Sequence, residues 1–148
     1  MYKKILIATD GSAASAKAVE QGVALAKATG ASVLLVTVTE MWSALDVATA
    51  AESGIANPVA EYEALADKSA QKALTAAAAI AKSAGVPAET LHVRDSVAAE
   101  GVAATAKKNG SDLIVAGTHG RRGLNRLFLG SQAQKILQLS EVPVLVVR

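Results

Sequence analysis

The amino-acid sequence predicts an α/β domain built on a mostly parallel sheet with helices on both faces. Five short apolar runs alternate with helix-favouring stretches in the order βαβαβαβαβ. The runs are apolar at nearly every position rather than every second one, the pattern of strands covered on both sides. At 148 residues, 51% hydrophobic but only 3% aromatic, the chain suits one domain whose core is alanine and valine. Residues 1–148 are therefore read as a single unit, with no internal repeat and no low-complexity segment.

"KKILIAT" (Lys3–Thr9) is the first strand, bounded by "DGS". An alanine-rich helix follows, with Ser12 as its N-cap, Val19 and Val23 on its apolar face and Gly30 at its end. "SVLLVTV" (Ser32–Val38) is the second strand. Residues 40–60 lack a clean period and contain Gly54 and Asn57–Pro58, so they read as a long connection with room for one short helix. Trp42 and Tyr62 flank this connection and are expected to anchor it. A helix runs from Glu61 to Ala84, with a lysine-bearing wet face, and closes at Gly85 and Pro87. "ETLHVR" (Glu89–Arg94) is the third strand, with His92 expected to pack within it. A helix follows with Ser96 as its N-cap and Gly110 beyond its end, and "DLIVA" (Asp112–Ala116) is the fourth strand. Residues 131–140 form the last helix and "VPVLVVR" (Val142–Arg148) the last strand.

Composition narrows the chemistry. There is no cysteine, which removes disulfides, thiolate catalysis and cysteine-ligated metals. The net charge of +2 does not describe a nucleic-acid binder. Lysines before an apolar run near Met1 faintly imitate a signal peptide, but the run ends at Asp10. No stretch has the length of a membrane span, so the expectation is a cytoplasmic protein without a membrane partner.

The concentrated signal is "GTHGRRGLNRLFLGS" (Gly117–Ser131), which holds four glycines, three of the five arginines, one histidine and no carboxylate. A strand-to-helix link needs only about 2–6 residues, and glycine is costly to order. Glycines let backbone N–H groups turn toward an anion, and the following helix N-terminus adds unpaired donors. Ligands of open parallel sheets bind beyond the carboxyl ends of the strands, where strand order reverses. If the first and fourth strands are neighbours there, Asp10 and Gly117–Gly120 line one crevice. The P-loop pattern, the dinucleotide G-x-G-x-x-G and the G-x-S-x-G nucleophile elbow are all absent.

The spacing G-x2-G-x9-G-[ST] is met by Gly117, Gly120, Gly130 and Ser131. With "KKILIATDGS", "DLIVAGTHGRRGLNRLFLGS" and "VPVLVVR" in this order, the sequence resembles the universal stress protein family along essentially its whole length. The resemblance implies an open five-stranded parallel sheet of order 3-2-1-4-5, of the adenine-nucleotide α-hydrolase-like type, and, in the branch that keeps the glycine pattern, ATP binding. It places Asp10 near the ribose, the adenine and any metal-bound phosphate, and Val38 against the adenine. Ala116 and Gly117 would lie under the nucleoside. Gly120, Gly130 and Ser131 would hold the phosphates, with Arg121 and Gln132 as lesser contacts. Mg²⁺ would arrive with ATP rather than in a protein-only site. It also implies a homodimer through Val142–Arg148, which agrees with an apolar edge strand that needs covering. "VRDSV" lacks the glycine that often follows the third strand in the family.

The resulting expectation is a nucleotide-dependent switch or sensor in stress response, with at most slow ATP hydrolysis and no catalytic residue named. Two alternatives stay open: an enzyme of the same architecture that adenylylates or hydrolyses, and a scaffold that works without nucleotide. Asp10 also has an ordinary role as a helix cap, and the arginines as a solvated face. His119 stands without a neighbouring His, Cys or carboxylate that would complete a triad or metal site.

Overall fold

The structure, a computed structural model, describes residues 1–119 and 129–148. Its elements are β1 (Lys4–Ala8), α1 (Ala13–Thr29), β2 (Ser32–Val38), α2 (Ala44–Glu52), α3 (Pro58–Ala84), β3 (Ala88–Val93), α4 (Ala98–Lys108), β4 (Leu113–Gly117), α5 (Ser131–Leu139) and β5 (Val144–Val147). The five strands form one sheet of order β3-β2-β1-β4-β5, and every pairing is parallel. Ile5 of β1 stands beside Val33 on one flank and Leu113 on the other.

Alternation across the pleat explains the continuous apolar runs. Ile5, Ile7, Val33, Leu35, Leu113 and Val115 pack with α1 and α3 residues such as Val19, Val23 and Leu74. Leu6, Leu34, Val36, Ile114 and Ala116 point the other way, onto Val102 and Ala106 of α4 and Ile136 of α5. Both faces of the central strands are thus buried, and neither can carry polar residues at low cost.

Ser12 caps α1 by accepting the Ser15 N–H, while Gly30 and Gly85 close α1 and α3 in the left-handed conformation. Residues 40–60 form the connection with the one short helix the sequence left room for. A capping box of Ser43 and Asp46 starts α2, and α3 begins at Pro58 rather than Glu61 because proline suits a helix's first turn. Trp42 stacks on Tyr62 with ring centroids 4.8 Å apart. The Tyr62 hydroxyl donates to the Glu40 carbonyl at 2.8 Å, so both aromatics anchor the segment. The expected Ser96 cap of α4 is corrected. Val97 occupies the cap position without a side-chain bond, and the Ala99 N–H is instead satisfied by the Gln132 carboxamide oxygen at 3.1 Å.

Asp112 ties the start of the sheet together, accepting the backbone N–H of Lys3 at 2.8 Å and of Lys4 at 3.1 Å. Replacing it with alanine removes an acceptor shared by two amides beside the β1–β4 pairing. The expected loss is about 1–2 kcal/mol, read as a lower urea midpoint with unchanged slope.

Candidate functional site

Strand order creates the candidate site. β1 lies between β2 and β4, α1 leaves its carboxyl end toward one face, and α4 and α5 cover the other. The carboxyl ends of the strands bring together Thr9–Ser12 after β1, Val38 and Thr39 at β2, and Gly117–His119 at β4. The Gly130 N–H donates to the Thr118 carbonyl at 2.8 Å, which returns the start of α5 to the same place. Asp10, Val38, Ala116, Gly117, Gly130, Ser131 and Gln132 therefore gather at one end of the sheet. Gly120 and Arg121 lie outside the described residues.

Beneath this edge is a set of buried hydroxyls. Thr37 Oγ1 donates to the Thr9 carbonyl at 2.8 Å, and Thr9 Oγ1 meets Ser15 Oγ at 3.1 Å. Ser15 Oγ donates to the Ser12 carbonyl at 3.0 Å, and the Gly11 N–H reaches Thr9 Oγ1 at 3.3 Å. Burying hydroxyls is costly unless they are paired, and these are paired so as to hold the turn at Asp10–Ser12. Gly11 sits there at φ 79°, a conformation that favours glycine. Asp10 Oδ1 accepts the Ser12 N–H at 2.9 Å, so its carboxylate braces the turn that follows β1. Sequence reading passed over Thr9, Ser15 and Thr37. Hydroxyls closing two otherwise apolar strands were the available signal.

Gly117 and Gly130 have packing reasons of their own. A Cβ on Gly117 would come within 3.0 Å of the Ala14 carbonyl oxygen, and one on Gly130 within 2.7 Å of the Thr118 carbonyl oxygen. Both contacts are with backbone, which has little room to yield. Ala116 points its methyl into the core against α4 and α5, leaving only its backbone at the edge. Val38 is half-buried and packs toward Gly101, whose added Cβ would meet Val38 Cγ1 at 2.9 Å.

At α5, the N-cap is Gly130 with no side-chain cap bond. Among the described residues the first-turn N–H groups of Ser131, Gln132 and Ala133 have no acceptor, and they carry the partial positive charge of the helix start. The Ser131 side chain is exposed beside them. Gln132 is half-buried, its carboxamide oxygen committed to α4. This donor set fits an anion, and the Asp10 carboxylate at the same end of the sheet suits hydroxyls or a metal-bound phosphate.

His92, expected to pack within its strand, instead joins a polar cluster. Its Nε2 lies 2.8 Å from Thr39 Oγ1 and its Nδ1 3.5 Å from Asp67 Oδ1. Burial pushes its pKa below the ordinary imidazole value, the Arg94 charge adds to that, and Asp67 opposes it. Arg94 donates to Asp67 at 2.8 Å and holds that carboxyl below the usual range, chiefly through this hydrogen bond. His119 Nδ1 contacts Thr118 Oγ1 at 3.0 Å, and its Nε2 is buried without a partner among the described residues. Among the described residues no group of three or more His, Cys, Asp or Glu side chains could hold a metal. No described helix is long and apolar enough to cross a membrane.

Comparison with known proteins bears on this geometry. The model of the universal stress protein family matches residues 1–148. Universal stress protein YxiE of Bacillus subtilis is 37% identical over 152 residues, covering 100% of both chains. Universal stress protein MJ0531 of Methanocaldococcus jannaschii is 35% identical over 148 residues, covering 100% of this chain and 83% of its own. Among solved structures, a universal stress protein in complex with cAMP superposes with a TM-score of 0.72 at 26% identity, covering 99% of this chain and 97% of its own.

Two outcomes follow from the packing. Gly130→Ala forces a methyl against the Thr118 carbonyl and should cost about 1–3 kcal/mol, whereas Ser131→Ala, at an exposed position, should stay within about 0.5 kcal/mol. Urea denaturation of the two variants checks this. For His92, the lowered folded-state pKa means that the unfolded chain binds the proton first as pH falls. Stability should therefore decrease as pH drops below the ordinary imidazole value of about 6.5. His92→Gln should flatten that acid-side slope, measured as urea midpoints between about pH 5 and 7.

Proposed function

The chain belongs to the universal stress protein family, and from that premise we propose that it is a nucleotide-dependent switch that takes ATP into the crevice between β1 and β4. The observation that carries this reading is the start of α5, which Gly130 holds against the Thr118 carbonyl at the same end of the sheet as the Asp10 turn. The relative complexed with cAMP supports an adenine nucleotide as the ligand class.

In this reading Asp10 contacts the ribose side and, through Mg²⁺ carried by the nucleotide, the phosphates. Val38 contacts the base, and the backbone of Ala116 and Gly117 lies under the nucleoside. Gly130 and Ser131 supply N–H groups and a hydroxyl to the phosphates, with Gly120 and Arg121 joining from the glycine-rich loop. Gln132 contributes its first-turn N–H, since its side-chain oxygen is taken by Ala99. When bound, the nucleotide supplies charge and a bulky ring, and the protein's part is to hold both. Charge stabilisation alone leaves water unactivated, so any hydrolysis is slow. The output is a change in the surface of 40–60 or of a homodimer formed through Val142–Arg148. The setting we propose is the cytoplasm.

Calorimetric titration of nucleotide-stripped protein tests the reading, first with Mg·ATP and then with cAMP. Saturable binding at about one nucleotide per chain is expected, weakened about three- to tenfold by Ser131→Ala through loss of one hydrogen bond. Tighter binding of cAMP would replace ATP as the ligand while keeping the site. No heat with either nucleotide at about millimolar concentration would overturn the proposal and favour the scaffold.

A further inference from the structure

Charge is unevenly placed along this chain. Between Lys27 and Lys68 there are six carboxylates and no lysine, arginine or histidine, although the whole chain carries +2. The acidic part, residues 40–67, comprises α2 and the first turns of α3. Two of its carboxylates are committed within the fold: Asp46 to the capping box with Ser43, and Asp67 to Arg94 and His92. Glu40, Glu52, Glu61 and Glu63 are exposed and form no ion pair among the described residues. Glu63 does lie near enough to Arg94 to help raise the pKa of that guanidinium.

Apolar surface is exposed in the same place. Leu45 is 75% exposed, Met41 70% and Leu65 67%, whereas Leu139, the next large apolar side chain among the described residues apart from the terminal Met1, reaches 47%. The packing of α3 explains this. Its buried stripe is Ala70, Ala73, Leu74, Ala77 and Ala81, so the core covers only the later turns. Carried back by helical steps of three and four, the stripe continues through Ala66 and Glu63 to Val59, which is not buried. There Val59, Ala56 and Val47 of α2 line a groove of about 350 Å³, with Glu63 on its wall. Apolar side chains grouped in this way and rimmed by polar residues mark an interaction surface.

We propose that this α2–α3 lobe docks a basic amphipathic segment of a partner protein. Apolar side chains of the segment enter the groove at Val47 and Val59, and its lysines or arginines answer the carboxylates of the lobe. Charge selects this occupant. The same carboxylates repel nucleic acid and anionic lipid surfaces. A second copy placed here about a two-fold axis would set one acidic lobe against another. The proposal goes beyond the nucleotide reading and requires no nucleotide.

Trp42 is the only tryptophan and stacks on Tyr62 within the lobe, so its fluorescence reports on occupation. Nucleotide-free protein is titrated with a synthetic helical peptide of leucine and lysine at amphipathic spacing, and with the same peptide carrying glutamate for lysine. The lysine peptide should shift Trp42 emission to shorter wavelength and saturate, and the glutamate peptide should not. Its affinity should fall about tenfold or more as ionic strength rises from about 0.05 to 0.5 M. Leu65→Ser, and Glu61→Gln combined with Glu63→Gln, should each weaken binding about three- to tenfold. Both changes are at exposed positions and should leave the urea midpoint nearly unchanged. A Trp42 response that is absent, equal for the two peptides, or indifferent to both sets of substitutions would overturn the proposal. Self-association in sedimentation that Leu65→Ser abolishes would make a second copy the occupant and overturn it as well. None of these results bears on ATP binding, so the two readings fail separately.

Discussion

Everything at the functional end of this molecule depends on β1 being hydrogen-bonded on both sides. Its partners β2 and β4 are reached by crossovers that lie on opposite faces of the sheet. Right-handed connections that diverge in this way leave the carboxyl ends of the two central strands without a helix across them. This open end is a consequence of topology, and the polar residues that follow the two buried strands, Thr9–Ser12 and Thr118–His119, collect there.

Close approach of backbones then shapes this end of the sheet. Gly117 lets the start of α1 come against the end of β4, and Gly130 lets the start of α5 come against Thr118. Each contact excludes even one methyl group, so the two glycines bring helix starts to the site whether or not a ligand is bound. Under them, Thr9, Ser15 and Thr37 exchange hydrogen bonds with the turn at Asp10–Ser12. Such preorganisation lowers the conformational cost of binding.

The fold was legible where burial is two-sided. Continuous apolar runs at residues 4–8, 32–38 and 113–116 left parallel strands as the consistent reading, and alternation with helices gave the class. The strand order came from the family resemblance rather than from the pattern of residues, and the structure shows that order. Features carried by distant pairs were not legible. Gln132 caps α4 across 33 positions, displacing the nearer Ser96. His92 finds Asp67 and Thr39 on other segments, although its neighbours in sequence are apolar. The start of α2 was legible in principle, since Ser43 and Asp46 have capping-box spacing, but alanine-rich residues around Gly54 obscured the period. Of the residues the sequence proposed for the site, Asp10, Val38, Ala116, Gly117, Gly130, Ser131 and Gln132 share one end of the sheet, and the two glycines attributed to a ligand each have a protein backbone contact of their own.

The measurement that bears most directly on the central claim is amide chemical-shift mapping of the ¹⁵N-labelled chain during titration with Mg·ATP. The account predicts that the largest shifts fall on residues 10–12, 38–39, 117–119 and 130–133, with little change at the opposite end of the sheet around Ser111 and Val142. Saturating shifts concentrated away from the strand ends, or no shifts at a concentration well above the expected affinity, would contradict it.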